Sequence, residues 1–251
     1  MTEVVSSTVA YGPRARPVDL HRPVGVAGPL PTVLLWHGRG ADERDVLAPL
    51  ARTAAALGVQ VLVPDWRPDD PDGGRAELRA SAAFARERAN PAPLTLAGWS
   101  LGAKAAVAVA LNPAAFDAWR PHAVVAFAGS YDAPAPSTGT TPLADLPAAG
   151  RGQVGELWLL HGSADTVVDP ARTRELHAAL LAHRRPVTFT ELPTDHAGII
   201  GTAYSPEAAR CLPSTAPHAL AALHRAAETL ATAARSRPDL SALPQPGGRG
   251  G

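Results

Sequence analysis

The sequence predicts an α/β protein with a mostly parallel central sheet and helices on both faces. Three observations lead there. Short apolar runs alternate with helix-like segments from residue 32 onward, the pattern of parallel strands joined by right-handed helical crossovers. The central runs are almost continuously apolar, as strands covered on both faces require. The chain has 251 residues, and at that length roughly 70–75% of the unfolded surface is buried, enough for a full core.

The elements follow in order. Val4 to Tyr11 and Pro17 to Arg22 are weak strand candidates and suggest an antiparallel hairpin over about residues 1–25. Residues 32–36 (TVLLW), 59–63 (VQVLV), 94–97 (LTLA), 123–128 (AVVAFA), 157–160 (LWLL) and 187–192 (VTFTEL) form the strand series. The last alternates more than the others, which fits a place near the sheet edge. Asp42 to Leu57 carries Val46, Leu47, Leu50 and Ala54 at helical spacing, with Gly58 as a stop. Arg75 to Ala89 is a second helix, charged on one side. Leu101 to Leu111 is rich in Ala and Val almost all round, so a buried helix is expected. Asp169 and Pro170 open a fourth helix as cap and first residue, running to about His183. A last helix covers roughly Pro217 to Ala234. Residues 133–152, rich in Pro, Thr and Gly, suggest a surface loop or short cap, because the strand pattern resumes after them. A single domain over 1–235 is expected, with 236–251 a flexible C-terminal tail.

Composition narrows the function. Lys plus Arg and Asp plus Glu are each 23, for a formal charge of zero, so the basic excess of a nucleic-acid binder is missing. Cys211 is alone, which excludes an intramolecular disulfide and a multi-cysteine metal site. No run approaches the roughly 18 apolar residues of a membrane span. Met1 to Gly12 lacks the basic and apolar regions of a secretion signal. A soluble cytoplasmic protein is expected, monomer or homodimer, with no membrane partner, metal or cofactor.

Four short motifs carry the chemistry. Gly98-Trp99-Ser100-Leu101-Gly102 matches G-x-S-x-G between a strand and a buried helix. A sharp strand-to-helix turn needs small residues two before and two after the serine. It also exposes the hydroxyl at a helix N-terminus, where the dipole favours developing negative charge. His37-Gly38-Arg39-Gly40 follows TVLLW; His37 is expected to brace the loop backbone. His161-Gly162-Ser163-Ala164-Asp165 closes LWLL, and an acid just past a parallel strand lies in the crevice where such sheets bind ligands. Asp165 is therefore the candidate acid, with His161 opening the loop and Asp169 capping the next helix. Asp195-His196-Ala197-Gly198 follows VTFTEL. His196 is the candidate base, since the small residues after it leave the ring room to reach Ser100 and Asp165. Asp195 is the runner-up acid, although adjacent side chains seldom point the right way. His177, His183, His218 and His224 lie in helical segments.

With these motifs the chain resembles the α/β-hydrolase superfamily, in particular small serine esterases and thioesterases of the dienelactone hydrolase and carboxylesterase/phospholipase groups. The matched pieces are HGRGAD (37–42), GWSLGA (98–103), HGSADTVVDP (161–170) and DHAG (195–198), and they span about residues 32–235. The order Ser100, Asp165, His196 is the superfamily's order. The resemblance implies an α/β-hydrolase fold with a short cap loop. It implies a Ser100–His196–Asp165 triad working through an acyl-enzyme, with the amides of Arg39 and Leu101 as the oxyanion hole. Dienelactone hydrolases often use Cys where this chain has Ser100, which points to a serine esterase. The short 133–152 segment argues against a deep, lidded lipase site. Trp66 and Trp99 are candidate pocket walls, and Trp36 is expected in the core. The Arg39 side chain either meets a substrate carboxylate or is an exposed residue whose backbone alone matters. The expected substrate is a small carboxylic ester or thioester. An acyltransferase or cyclase on the same acyl-enzyme, or a non-catalytic binding protein on the same fold, are the other classes.

Overall fold

The structure, a computed structural model, describes residues 2–149 and 155–236. The expected tail beyond residue 236 and positions 150–152 of the expected cap loop lie outside the described residues.

Eight strands form one sheet: β1 (Val4–Tyr11), β2 (Arg16–Pro23), β3 (Thr32–Trp36), β4 (Gln60–Pro64), β5 (Leu94–Trp99), β6 (Ala123–Phe127), β7 (Glu156–Gly162) and β8 (Val187–Leu192). Their order is β1-β2-β4-β3-β5-β6-β7-β8. β1 and β2 pair antiparallel, β2 pairs antiparallel with β4, and every pair from β4 to β8 is parallel. β8 is an edge strand, as its alternation predicts, and β3, β5 and β6 are buried along their whole length.

Among the described residues there are six helices: α1 (Ala48–Ala56), α2 (Arg75–Ala89), α3 (Leu101–Leu111), α5 (Ala171–Ala182) and α6 (Pro217–Arg235) pack on the sheet, and the short α4 (Pro142–Asp145) packs against α3. Alternate side chains of each strand serve opposite layers. Leu34 and Trp36 face a core with Leu78, Val107, Leu176 and Leu180 of α2, α3 and α5. Val33 and Leu35 face a second core with Leu50, Ala54, Leu223 and Leu230 of α1 and α6. Helix α3 is buried almost all round, as its Ala–Val composition requires.

The first helix is shorter than its periodicity suggests. Residues 42–47 form turns, because Asp42 takes positive φ (49°) and the Glu43 side chain folds back to accept the Gly40 amide at 3.0 Å. The segment after residue 133 is packed rather than draped on the surface: Ser137 and Ala135 are buried, and the Ser137 hydroxyl donates to the Ala105 carbonyl of α3 at 2.8 Å. A small antiparallel hairpin, β9 (Thr202–Ser205) and β10 (Arg210–Pro213), follows the His196 loop; its short polar strands carry no apolar alternation to signal it. Among the described residues no helix is long and apolar enough to cross a membrane.

Candidate active site

The motifs converge at the C-terminal edge of the parallel strands. Ser100 sits between β5 and α3 at φ 55° and ψ −115°, a conformation that costs a non-glycine residue of order 1–3 kcal/mol. Its amide donates to the Phe127 carbonyl at 2.8 Å, which clamps the turn to β6. The flanking glycines are obligatory. A Cβ on Gly98 would overlap the Gly102 carbonyl, and one on Gly102 would overlap the carbonyls of Trp36 and His37. The same closeness holds the start of α3 against the loop after β3. Ser100 is half-exposed, and its hydroxyl has no hydrogen-bond partner among the described residues.

Asp165 and His196 meet although 31 positions separate them: Asp165 Oδ2 lies 2.7 Å from His196 Nδ1. The amides of Ser163 and Ala164 donate to the carbonyls of Leu192 and Thr194, so the acid loop is sewn to the chain that leads to His196. The second oxygen, Oδ1, accepts the amides of Val167 (2.8 Å) and Val168 (2.9 Å). Burial alone would raise the Asp165 pKa. The hydrogen bonds from His161, His196 and the Val168 amide outweigh it and hold the carboxyl well below the usual carboxylate range.

Trp99 ties His196, the candidate base, to the turn that carries Ser100. The indole Nε1 donates to the His196 carbonyl at 3.0 Å, and the two rings lie 5.0 Å apart centre to centre. Asp195 is turned away, its Oδ1 accepting the Gly198 amide at 2.6 Å. Asp169 accepts the Ala171 amide at 2.8 Å at the start of α5.

His161 does more than open its loop. It is fully buried, and its Nε2 lies 3.1 Å from the same Asp165 Oδ2 and 2.9 Å from the Val168 carbonyl. Two acceptors at Nε2 assign the proton to that nitrogen. Its Nδ1 is 2.7 Å from the Thr173 hydroxyl of α5. Nothing local in the sequence marks this second histidine on one acid.

The loop after β3 is braced from below. His37 is fully buried; its Nδ1 faces the Gly38 carbonyl at 3.1 Å and its Nε2 accepts the Trp66 amide at 3.3 Å. Burial lowers the His37 pKa to about 4, so the ring is neutral at pH 7. Trp66 has no exposed surface and stacks on His37, with its Nε1 donating to the His37 carbonyl. It supports the loop from inside and does not wall the crevice, contrary to expectation. Trp36 lies in the core and bonds the Ser81 hydroxyl at 3.0 Å. Arg39 projects into solvent, and neither its amide nor that of Leu101 meets another described acceptor.

Glu43 was not signalled by the sequence. Besides holding Gly40, it lies near Gly38 and the Trp99 ring, and burial raises its pKa against the pull of the Gly40 amide and Arg210. Among the described residues one acidic cluster, Asp70, Asp72 and Glu77, brings possible metal ligands within 4.8 Å of one another. Arg14 already bridges Asp70 (2.5 Å) and Glu77 (2.6 Å), and Asp72 accepts the amides of Gly74 and Ala76.

No family model matches the chain, and no curated protein matches it. Solved structures do. A Klebsiella pneumoniae subsp. pneumoniae chain described as a dienelactone hydrolase is 19% identical, with 83% of this chain and 94% of that one covered and a TM-score of 0.64. S-formylglutathione hydrolase from Staphylococcus aureus is 15% identical over 92% of this chain and 97% of its own, at TM-score 0.67. A thermostable esterase from Pseudomonas putida ECU1011 is 16% identical over 94% and 84%, at TM-score 0.66. At such identities the likeness is one of architecture, and it agrees with the strand order and the strained serine turn: the chain has the α/β-hydrolase fold.

Proposed function

We propose that the protein is a serine hydrolase that cleaves a small carboxylic ester or thioester by two-step acyl transfer. The observation that carries this reading is the 2.7 Å Asp165–His196 pair set against the strained Ser100 turn by Trp99. Ser100 attacks the acyl carbonyl while His196 Nε2 takes its proton; Asp165 holds the ring by Nδ1–H and stabilises the imidazolium. The amides of Arg39 and Leu101 receive the oxyanion, a contribution typically of about 3–4 kcal/mol per donor. His196 returns the proton to the leaving group, then activates water to release the acid. Each step uses side chains, backbone amides and water. A cytoplasmic location and a monomeric or dimeric state belong to the same proposal.

The test is a panel of p-nitrophenyl esters, acetate to decanoate, on wild type and Ser100→Ala. Turnover that disappears in Ser100→Ala supports the reading, and the best chain length sizes the pocket. A folded protein that turns over no ester and resists a fluorophosphonate label overturns it in favour of a non-catalytic role.

A further inference from the structure

β1 forms one edge of the sheet, and among the described residues no strand pairs on its other side. It runs for eight residues, Val4 to Tyr11, in unbroken register with β2. Between Val4 and Ala10 it has no proline and no charged side chain. Natural edge strands are usually blunted by charge, proline, a bulge or shortness. The opposite edge, β8, is shorter and carries Glu191, paired with Arg174 of α5. Every side chain from Val4 to Ala10 is exposed or half-buried, and Val5 keeps 48% of its surface.

The ladder fixes which backbone groups of β1 point outward. In an antiparallel pair, opposed residues alternate between exchanging two hydrogen bonds and exchanging none. The Val24 amide donates to the Glu3 carbonyl at 2.8 Å, so Glu3 and Val24 oppose one another as a bonded pair. Continuing the register, Val5, Ser7 and Val9 bond to Arg22, Leu20 and Val18. On β2, the Asp65 amide donates to the Pro17 carbonyl at 2.9 Å, so Pro17 and, by alternation, Asp19 and His21 turn toward β4. Their opposites on β1 are Ala10, Thr8 and Ser6, and Val4 lies opposite Pro23. These four residues of β1 therefore turn their N–H and C=O groups away from β2. The groups have no backbone partner among the described residues.

We propose that β1 pairs antiparallel with β1 of a second copy of this chain, across a twofold axis at Ser7. A twofold interface sets a segment against itself, and Val4-Val5-Ser6-Ser7-Thr8-Val9-Ala10 is self-complementary about Ser7. Val5 meets Val9 and Val4 meets Ala10, apolar on apolar. Ser6 meets Thr8, hydroxyl on hydroxyl, and Ser7 meets itself. In the same register the outward residues oppose one another, Val4 with Ala10 and Ser6 with Thr8, so each free N–H faces a free C=O. The electrostatic match is of backbone dipoles, with no like charges opposed. Moving the axis by one residue in either direction sets a valine against Ser7. Ser100 follows β5, with β2, β4 and β3 between β5 and this edge, so the proposal stands apart from the hydrolase reading.

The test is the mass of the full chain in solution, by sedimentation velocity over micromolar to submillimolar concentrations. Twice the mass of one chain is expected at the upper end. Ser7→Lys, which opposes two ammonium groups across the axis, should raise the dimer's Kd by about tenfold or more with an unchanged circular dichroism spectrum. Ser7→Cys in a Cys211→Ser background reads the register. Residues that oppose one another without backbone bonds bring their Cβ atoms to disulfide distance, so oxidation by diamide should give a covalent dimer. Ser6→Cys in the same background sits off the axis, too far from its own copy to cross-link. One chain's mass at every concentration overturns the proposal. So does a dimer whose Kd is unmoved in Ser7→Lys, or one that folded Ser7→Cys fails to cross-link or that Ser6→Cys cross-links as fast, because another surface or register would then hold it.

Discussion

At the scale of the residue, Asp165 works through the number of donors it gathers. Four reach it, the amides of Val167 and Val168 on one oxygen and the rings of His161 and His196 on the other. They fix the carboxylate plane and keep it charged. The sign matters for pH dependence. A carboxyl whose folded-state pKa is depressed contributes stability that is fully present above its unfolded value, about 3.9, and is lost as pH falls through the folded value. The acidic limb of a pH–rate profile near neutrality would therefore not report Asp165. Replacing Asp165 by Asn should lower kcat by about 10³–10⁴ with the fold intact, because the amide favours the wrong His196 tautomer. Steady-state kinetics on the best p-nitrophenyl ester, alongside circular dichroism, measure this. His161→Phe, which removes a donor from Oδ2 and leaves the Thr173 hydroxyl only the Gly129 carbonyl, should cost about 10–100-fold in kcat, whereas His161→Gln should recover part of the loss. Equal kcat in all three proteins would reduce His161 to a packing residue.

At the scale of the element, the site depends on how closely α3 approaches the loop after β3. Gly102 lies against the carbonyls of Trp36 and His37, and Gly98 against the backbone of α3 itself. Gly102→Ala must push these segments apart, moving the Leu101 amide away from the Arg39 amide. The expected outcome is a stability loss of roughly 2 kcal/mol or more with a large fall in kcat, read by urea unfolding and ester kinetics. Leu230→Ala offers a contrast. Leu230 of α6 is fully buried between the sheet and α1, so its truncation should cost about 2–5 kcal/mol. It lies away from the motifs, so kcat at low temperature should stay near wild type.

At the scale of the whole molecule, two buried histidines couple folding to pH. His21 on β2 and His37 after β3 each have a pKa lowered to about 4, mainly by burial. The unfolded chain protonates them near 6.5, so between pH 6.5 and about 4 it binds more protons than the folded one, and stability falls as pH falls. Each histidine should remove on the order of 3 kcal/mol across that window. Urea unfolding at pH 7.5 and 4.5 should show the drop. His21→Gln, which lies outside the proposed site and keeps a polar group near Ser6 (2.8 Å from the native ring), should flatten it by about half.

Much of this protein is readable along the chain. The strand positions, β8 at the edge, the buried helix α3 and the strand-to-helix serine turn all follow from patterns spanning fewer than about 20 residues, because period-2 and period-3.6 apolarity and glycine's missing Cβ act locally. Ser100, Asp165 and His196 could be brought forward as site candidates for the same reason: each stands just past a strand end, and a parallel sheet gathers those ends along one edge. Other features had no local sign. Glu43 reaches the elbow only because residues 42–47 turn instead of coiling, and Trp66 looks like a pocket wall until the His37 loop covers it. The contact that seats the base joins Trp99 to His196 across 97 positions, and His161 shares an oxygen with a histidine from another strand's loop. Which side chains meet was decided by how the loops close over the sheet. Such contacts depend on loop paths and packing that no short stretch of sequence encodes.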